Sequence, residues 1–231
     1  MNENRFFRFV WRFNGIILMV AGVLSIFALV IGGYSFIRNI TRERGTRNIV
    51  NVQGDAPIEE KWQLGNMSPI EGGPYVMIPL YSDQRYAQSY YSKSSSSARN
   101  YLFINSQNNK KHWLFDTNQY LIADISMLSE QEYRTEKRKI RAILYRVVKR
   151  DTNGDKRLTN DDLQDIGLSR PSGKGYKEIL NGIDVFIGQR LIDEDTLLIV
   201  YQRKGVGYSA NVTLSDFRLL NESELPKVPR S

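Results

Sequence analysis

After a short polar start the chain enters one long apolar run and then settles into short alternating segments. Gly15–Ile37 holds 23 residues without a charge. As a helix this run would reach about 35 Å at 1.5 Å per residue, enough to cross a hydrocarbon core of about 30 Å. It is longer than the apolar core of a cleaved secretory signal, and no small-x-small site follows it. A helix apolar on every face is also unusual inside a globular protein. The run therefore predicts a transmembrane helix over 15–37, preceded by an Arg-rich tail over 1–14. A single-pass membrane protein, touching lipid through that one helix, is the expectation.

Residues 38–73 read as a connector. Gly54-Asp-Ala-Pro57, Ser68-Pro69 and Gly72-Gly-Pro74 supply turn punctuation, and 40–51 is polar and Arg-rich. The Ser-rich stretch Tyr86–Ala98 reads as a surface loop. Elsewhere strand-like runs alternate with turns: Tyr75–Tyr81, Tyr101–Asn105 and His112–Phe115 around Ser106–Lys111, then Tyr120–Ile125. Asp184–Ile192, Thr196–Gln202 and Tyr208–Thr213 follow, with Arg203–Gly207 as a turn. Ile140–Val148 fits a helical stripe and a strand alternation alike, and its β-branched and aromatic content favours the strand. Glu130–Lys139 reads as a short helix leading into it. Strand–turn–strand units recur about every 40–50 residues, a period at which stacked β modules repeat. The predicted class is mainly β: the transmembrane helix, then a β-repeat domain over 74–231 of three to four propeller-blade-like antiparallel units, as a partial propeller or a sandwich.

Charge changes the picture once it is divided. Residues 1–50 carry Arg5, Arg8, Arg12, Arg38, Arg42, Arg44 and Arg47 against Glu3 and Glu43, seven minus two, or +5 of the chain's +7. The remainder, +2, leaves no basic face for nucleic acid, so no nucleic-acid partner is expected. Three Arg precede the apolar run and four follow it, nearly balanced under the positive-inside rule. The absence of Cys excludes disulfides, thiolate metal sites and a Cys nucleophile.

One segment carries recognisable chemistry. Asp151-Thr-Asn-Gly-Asp-Lys-Arg-Leu-Thr-Asn-Asp-Asp162 resembles the calcium loop of an EF-hand. Asp151, Asn153 and Asp155 stand at loop positions 1, 3 and 5, the carbonyl of Arg157 at 7, Thr159 at 9 and Asp162 at 12. Leu158 takes the apolar position that pins such a loop to a core. Lys156 stands where glycine is usual and costs about 1–2 kcal/mol in a left-handed turn. Asp162 is shorter than the usual Glu, and Lys149, Arg150, Lys156 and Arg157 oppose a cation. A weak calcium site is set against a polar turn whose Asp and Asn cap backbone amides.

The flanks, Tyr145–Leu163 followed by Ile166-Gly-Leu-Ser-Arg-Pro-Ser-Gly-Lys-Gly-Tyr176, resemble a blade of Tol-type periplasmic β-propeller repeats. The resemblance implies a strand entering the DxNxD loop, and a next strand ending in the Ser-Arg-Pro-Ser-Gly turn. It implies a β-repeat domain and little about activity. With the calcium motif it points to an extracytoplasmic, periplasmic domain, although the Arg-rich exit from the apolar run favours the cytoplasm.

Other chemistry is thin. His112, the only His, lies in a hairpin strand beside Trp113 and reads as structural; Asp193-Glu-Asp195 reads as a solvated turn. No nucleophile elbow or phosphate loop is present. The leading expectation is a membrane-tethered, non-enzymatic β domain that binds a protein partner and is stabilised by calcium. The alternatives are an accessory subunit of a membrane complex, packed through Gly22, Ser25, Gly32 and Gly33, and a calcium-dependent hydrolase using surface carboxylates.

Overall fold

The structure is a computed structural model, and it describes residues 11–12, 14–15, 17–25, 46–47, 50–51, 59–86, 93–129 and 139–227. Two compact units are present, Met1–Arg44 and Gly45–Ser231. In the first, every described residue between 11 and 25 is helical.

This unit corrects the expected membrane anchor. Among the described residues no helix is long and apolar enough to cross a membrane. Ser25 Oγ donates to the Ala21 carbonyl at 2.9 Å, a back-bond that loosens a helix where it occurs. Residues 26–37 of the expected span lie outside the described residues. The transmembrane helix over 15–37, the single-pass topology and the membrane location built on it are therefore withdrawn.

The second unit is mainly β, as the alternation predicts. The strands are β1 (Thr46–Arg47), β2 (Val50–Asn51), β3 (Glu59–Leu64), β4 (Ser68–Ile70), β5 (Tyr75–Tyr86), β6 (Lys93–Asn105), β7 (Lys111–Trp113) and β8 (Leu121–Ser129). They continue with β9 (Ile140–Val148), β10 (Arg157–Leu158), β11 (Gln164–Ser169), β12 (Lys177–Ile183), β13 (Val185–Leu191), β14 (Thr196–Arg203), β15 (Val206–Thr213) and β16 (Arg218–Glu224). The first sheet runs β1-β6-β5-β3, with β4 also on β5 and β7 also on β6. The second runs β12-β11-β9-β8, the third β13-β14-β15-β16, and β2 pairs with β10. All pairings are antiparallel except β1 with β6.

The second sheet is the middle layer, and β9 shows why its sequence was ambiguous. Ala142 and Leu144 face the third sheet and meet Leu197, Ile199, Tyr201 and Val212. Ile143, Tyr145 and Val147 face the first sheet and meet Ile70, Met77, Tyr101 and Phe103. A strand covered on both sides carries apolar residues on both faces, which blurs the two-residue period. Tyr145 is fully buried and keeps its hydroxyl satisfied at 2.9 Å from Ser169 Oγ. Burial of each such side chain contributes about 1.5–3 kcal/mol.

Four segments depart from the sequence reading. Glu59–Leu64 and Ser68–Ile70, placed in the connector, are strands on β5. The Ser run belongs to β6, with Ser94–Ala98 paired to β5. Serine has no strong preference of its own here, and the long partner strand supplies the ladder. Strand β16, unforeseen, closes the third sheet with every residue exposed. The turn expected over Arg203–Gly207 is narrower, only Lys204-Gly205: φ is +52° and +74°, the left-handed pair that a two-residue hairpin loop demands. Residues 130–138 of the expected short helix lie outside the described residues.

Candidate functional site

The loop 151–162 adopts the turn geometry that its motif implies. Gly154 has φ +81° and Lys156, where glycine was expected, φ +62°. Leu158 is fully buried with Val50, Leu121, Ala123 and Val148, and β10 pairs with β2, so the apolar position does pin the loop. The polar side chains, however, turn to the backbone. Asp151 accepts the Gly154 amide on Oδ1 and the Lys156 amide on Oδ2, both at 2.7 Å. Asn153 Oδ1 accepts the Asp155 amide at 2.9 Å, and Asp155 Oδ1 the Arg157 amide at 2.9 Å. Thr159 Oγ1 accepts the Asp161 amide at 3.1 Å.

Asp162 is the keystone. It is 1% exposed, and Oδ1 takes the Thr152 amide at 2.7 Å, the Thr152 hydroxyl at 3.0 Å and the Asn153 amide at 3.4 Å. Oδ2 takes the Thr159 amide at 2.9 Å. A short carboxylate held this way closes the two ends of the loop on each other. Among the described residues no group of three or more His, Cys, Asp or Glu side chains is placed to hold a metal ion. Of the residues expected to hold calcium, Asp151, Asn153, Asp155, Thr159 and Asp162 turn side-chain oxygens to amides of their own loop, and Arg157 supplies one of those amides, so the set forms a self-capped turn.

A second feature has more room. Where β3 gives way to β4, Gln63, Leu64, Gly65, Asn66, Ser68, Met77, Pro79, Tyr81, Tyr101 and Ile125 line a cleft of about 490 Å³. Its origin is legible at Pro79, in the interior of β5. Opposed residues of an antiparallel pair exchange two bonds; Pro79 accepts the Gly65 amide at 2.8 Å and has no N–H to return. The outer strand breaks there, as expected where proline meets an edge. Gly65 is required at the break, because a Cβ would stand 2.5 Å from the Tyr81 ring and 2.7 Å from Pro79 Cγ. The opposite wall comes from Ile125 on β8, the edge strand of the second sheet.

The cleft's chemistry is neutral. Burial pushes the Tyr101 phenol well above its ordinary pKa, with Tyr81 and Asp124 acting in the same direction, so the hydroxyl keeps its proton. Gln63, Asn66, Ser68 and the two tyrosines offer hydrogen bonds, while Met77, Pro79 and Ile125 offer apolar contact. Among the described residues no carboxylate, Lys, Arg or His lines it. The sequence reading missed this site by placing 59–70 in a connector; the signal available was Pro79 inside an apolar strand, with Gly65 fourteen residues before it.

The remaining candidates are structural. His112 stacks on Phe103 at 5.6 Å with rings 17° apart, and burial lowers its pKa, aided by Lys174. Asp193 caps its turn by accepting the Asp195 amide at 2.9 Å and the Thr196 amide at 2.7 Å.

Comparison with protein families, with curated proteins and with solved structures finds no match, so the resemblance to Tol-type repeats rests on its motifs alone.

Proposed function

We propose that the β domain is a non-enzymatic binding module that takes an extended, uncharged segment of a protein partner into the cleft at the β3–β4 break. The observation that carries this reading is the cleft's position between two sheet edges, with neutral hydrogen-bonding groups over an apolar floor. An extended backbone needs that combination: edge groups for its amides and carbonyls, and pockets for alternate side chains. Among the described lining residues a charged small substrate would find no counter-charge and no acid–base pair to transform it.

The test is selection of a random peptide library against the full chain. Enrichment of alternating apolar sequences that no longer bind Ile125→Arg supports the reading. Failure to enrich, or peptides that bind Ile125→Arg as well as the parent, overturns it.

A further inference from the structure

The first sheet has a second apolar face, turned away from the core. Alternation puts Ile70, Met77, Tyr101 and Phe103 inward. It puts Val76, Ile78, Leu102 and Ile104 outward, at half-buried positions. Cross-strand pairing makes them one surface: Val76 lies opposite Ile104, and Ile78 opposite Leu102, which lies opposite Trp113. Leu64 and Trp62 extend it on the β3 side. Trp62, Leu64 and Trp113 are 45%, 51% and 41% exposed. Two of the chain's three Trp thus stand on one open sheet face.

We propose that this face is the interface between two copies of the chain, related by a two-fold axis. Two observations select a second copy. The first is area. Each of the three most exposed side chains offers roughly 100 Å², and with the four half-buried ones the apolar patch comes to about 450 Å². A standard interface buries about 800 Å² per partner, of which some 55–65% is apolar, or about 450–500 Å². The second is self-complementarity, which a two-fold interface requires. The β3 rim carries Trp62 with Glu60, and the β7 rim carries Trp113 with Lys111. A two-fold axis running along the strands lays the rim that carries Glu60 against the other copy's rim that carries Lys111, so the facing rims are unlike in charge. Arg99, its Cζ 6.0 Å from the Trp62 ring centre and 3.9 Å from Glu60, holds the β3 rim in place.

The test is sedimentation velocity of the full chain from low to high micromolar concentration. The parent is expected to reach a dimer, and Leu102→Arg and Ile78→Arg to stay monomeric with unchanged far-ultraviolet circular dichroism. Ile125→Arg, which alters the cleft and not this face, is expected to dimerise like the parent, so failure of the cleft reading leaves this one intact. A monomeric parent, a dimer indifferent to both outer-face variants, or a face that protects Trp62 and Trp113 only when a different protein is added would overturn the proposal.

Discussion

Replacing Asp162 by Ala tests the self-capped loop at its most consequential atom pair. The carboxylate is 1% exposed and accepts from Thr152, Asn153 and Thr159. A hydrogen bond to a charged group contributes about 1.5–3 kcal/mol, and buried donors left without a partner add their desolvation cost. The bonds share one acceptor group and do not sum, so the expected loss is about 4 kcal/mol rather than the total of the separate bonds. For a domain of this size that lowers Tm by roughly 10 °C. Asp162→Asn keeps one acceptor oxygen and turns an N–H toward the Thr159 amide, so about half the loss remains. The assay is urea denaturation of the full chain, run with calcium and with a chelator. The account predicts equal losses in both. A loss below about 1 kcal/mol, or one confined to the calcium-containing sample, would refute it and return the loop to an ion.

Three further outcomes follow from single positions. Lys156→Gly relieves a left-handed φ of +62° and stabilises the chain by about 1 kcal/mol, read as a higher urea midpoint with unchanged slope. Gly65→Ala drives a Cβ into Tyr81 and Pro79, costing about 1–3 kcal/mol and weakening any peptide that selects the cleft. His112 supplies a pH dependence. Its folded pKa is depressed by burial, so the unfolded state binds more protons and stability falls as pH drops below the unfolded value near 6.5. Denaturation midpoints between pH 7 and 5 should show a slope that His112→Gln abolishes.

Much of the β architecture was readable from alternation and turn chemistry, and the failures have physical causes. Ile140–Val148 was resolved as a strand by residue type, because burial on both faces leaves a pattern that fits a helical stripe and a strand alternation alike. The Lys204-Gly205 hairpin was legible because left-handed turns have a narrow residue preference. Glu59–Leu64 was not, since Glu-Glu-Lys-Trp-Gln-Leu lies on an edge where Lys61, Trp62, Gln63 and Leu64 are all exposed, so no buried face imposes an alternation. The Ser run in β6 was hidden for a related reason: its strand character comes from the long β5 beside it. The DxNxD spacing predicted the loop's conformation, and its aspartates cap amides with the same oxygens that could ligate a cation. The apolar run at 15–37 misled in another way. Hydropathy reports what a helix could cross, whereas the described helical residues end at Ser25.

The cleft as a binding site is the central claim, and the absence of Cys in the chain permits a direct measurement. A single cysteine placed by Asn66→Cys, at the mouth of the cleft, can carry a photo-crosslinker in the protein's own cells, with Asn108→Cys in the exposed β6–β7 turn as the comparison. The account predicts one protein crosslinked through an extended apolar segment from position 66, not from 108, and lost when Ile125→Arg is added. Identical products from both positions, or a product from position 66 that survives Ile125→Arg, would contradict it.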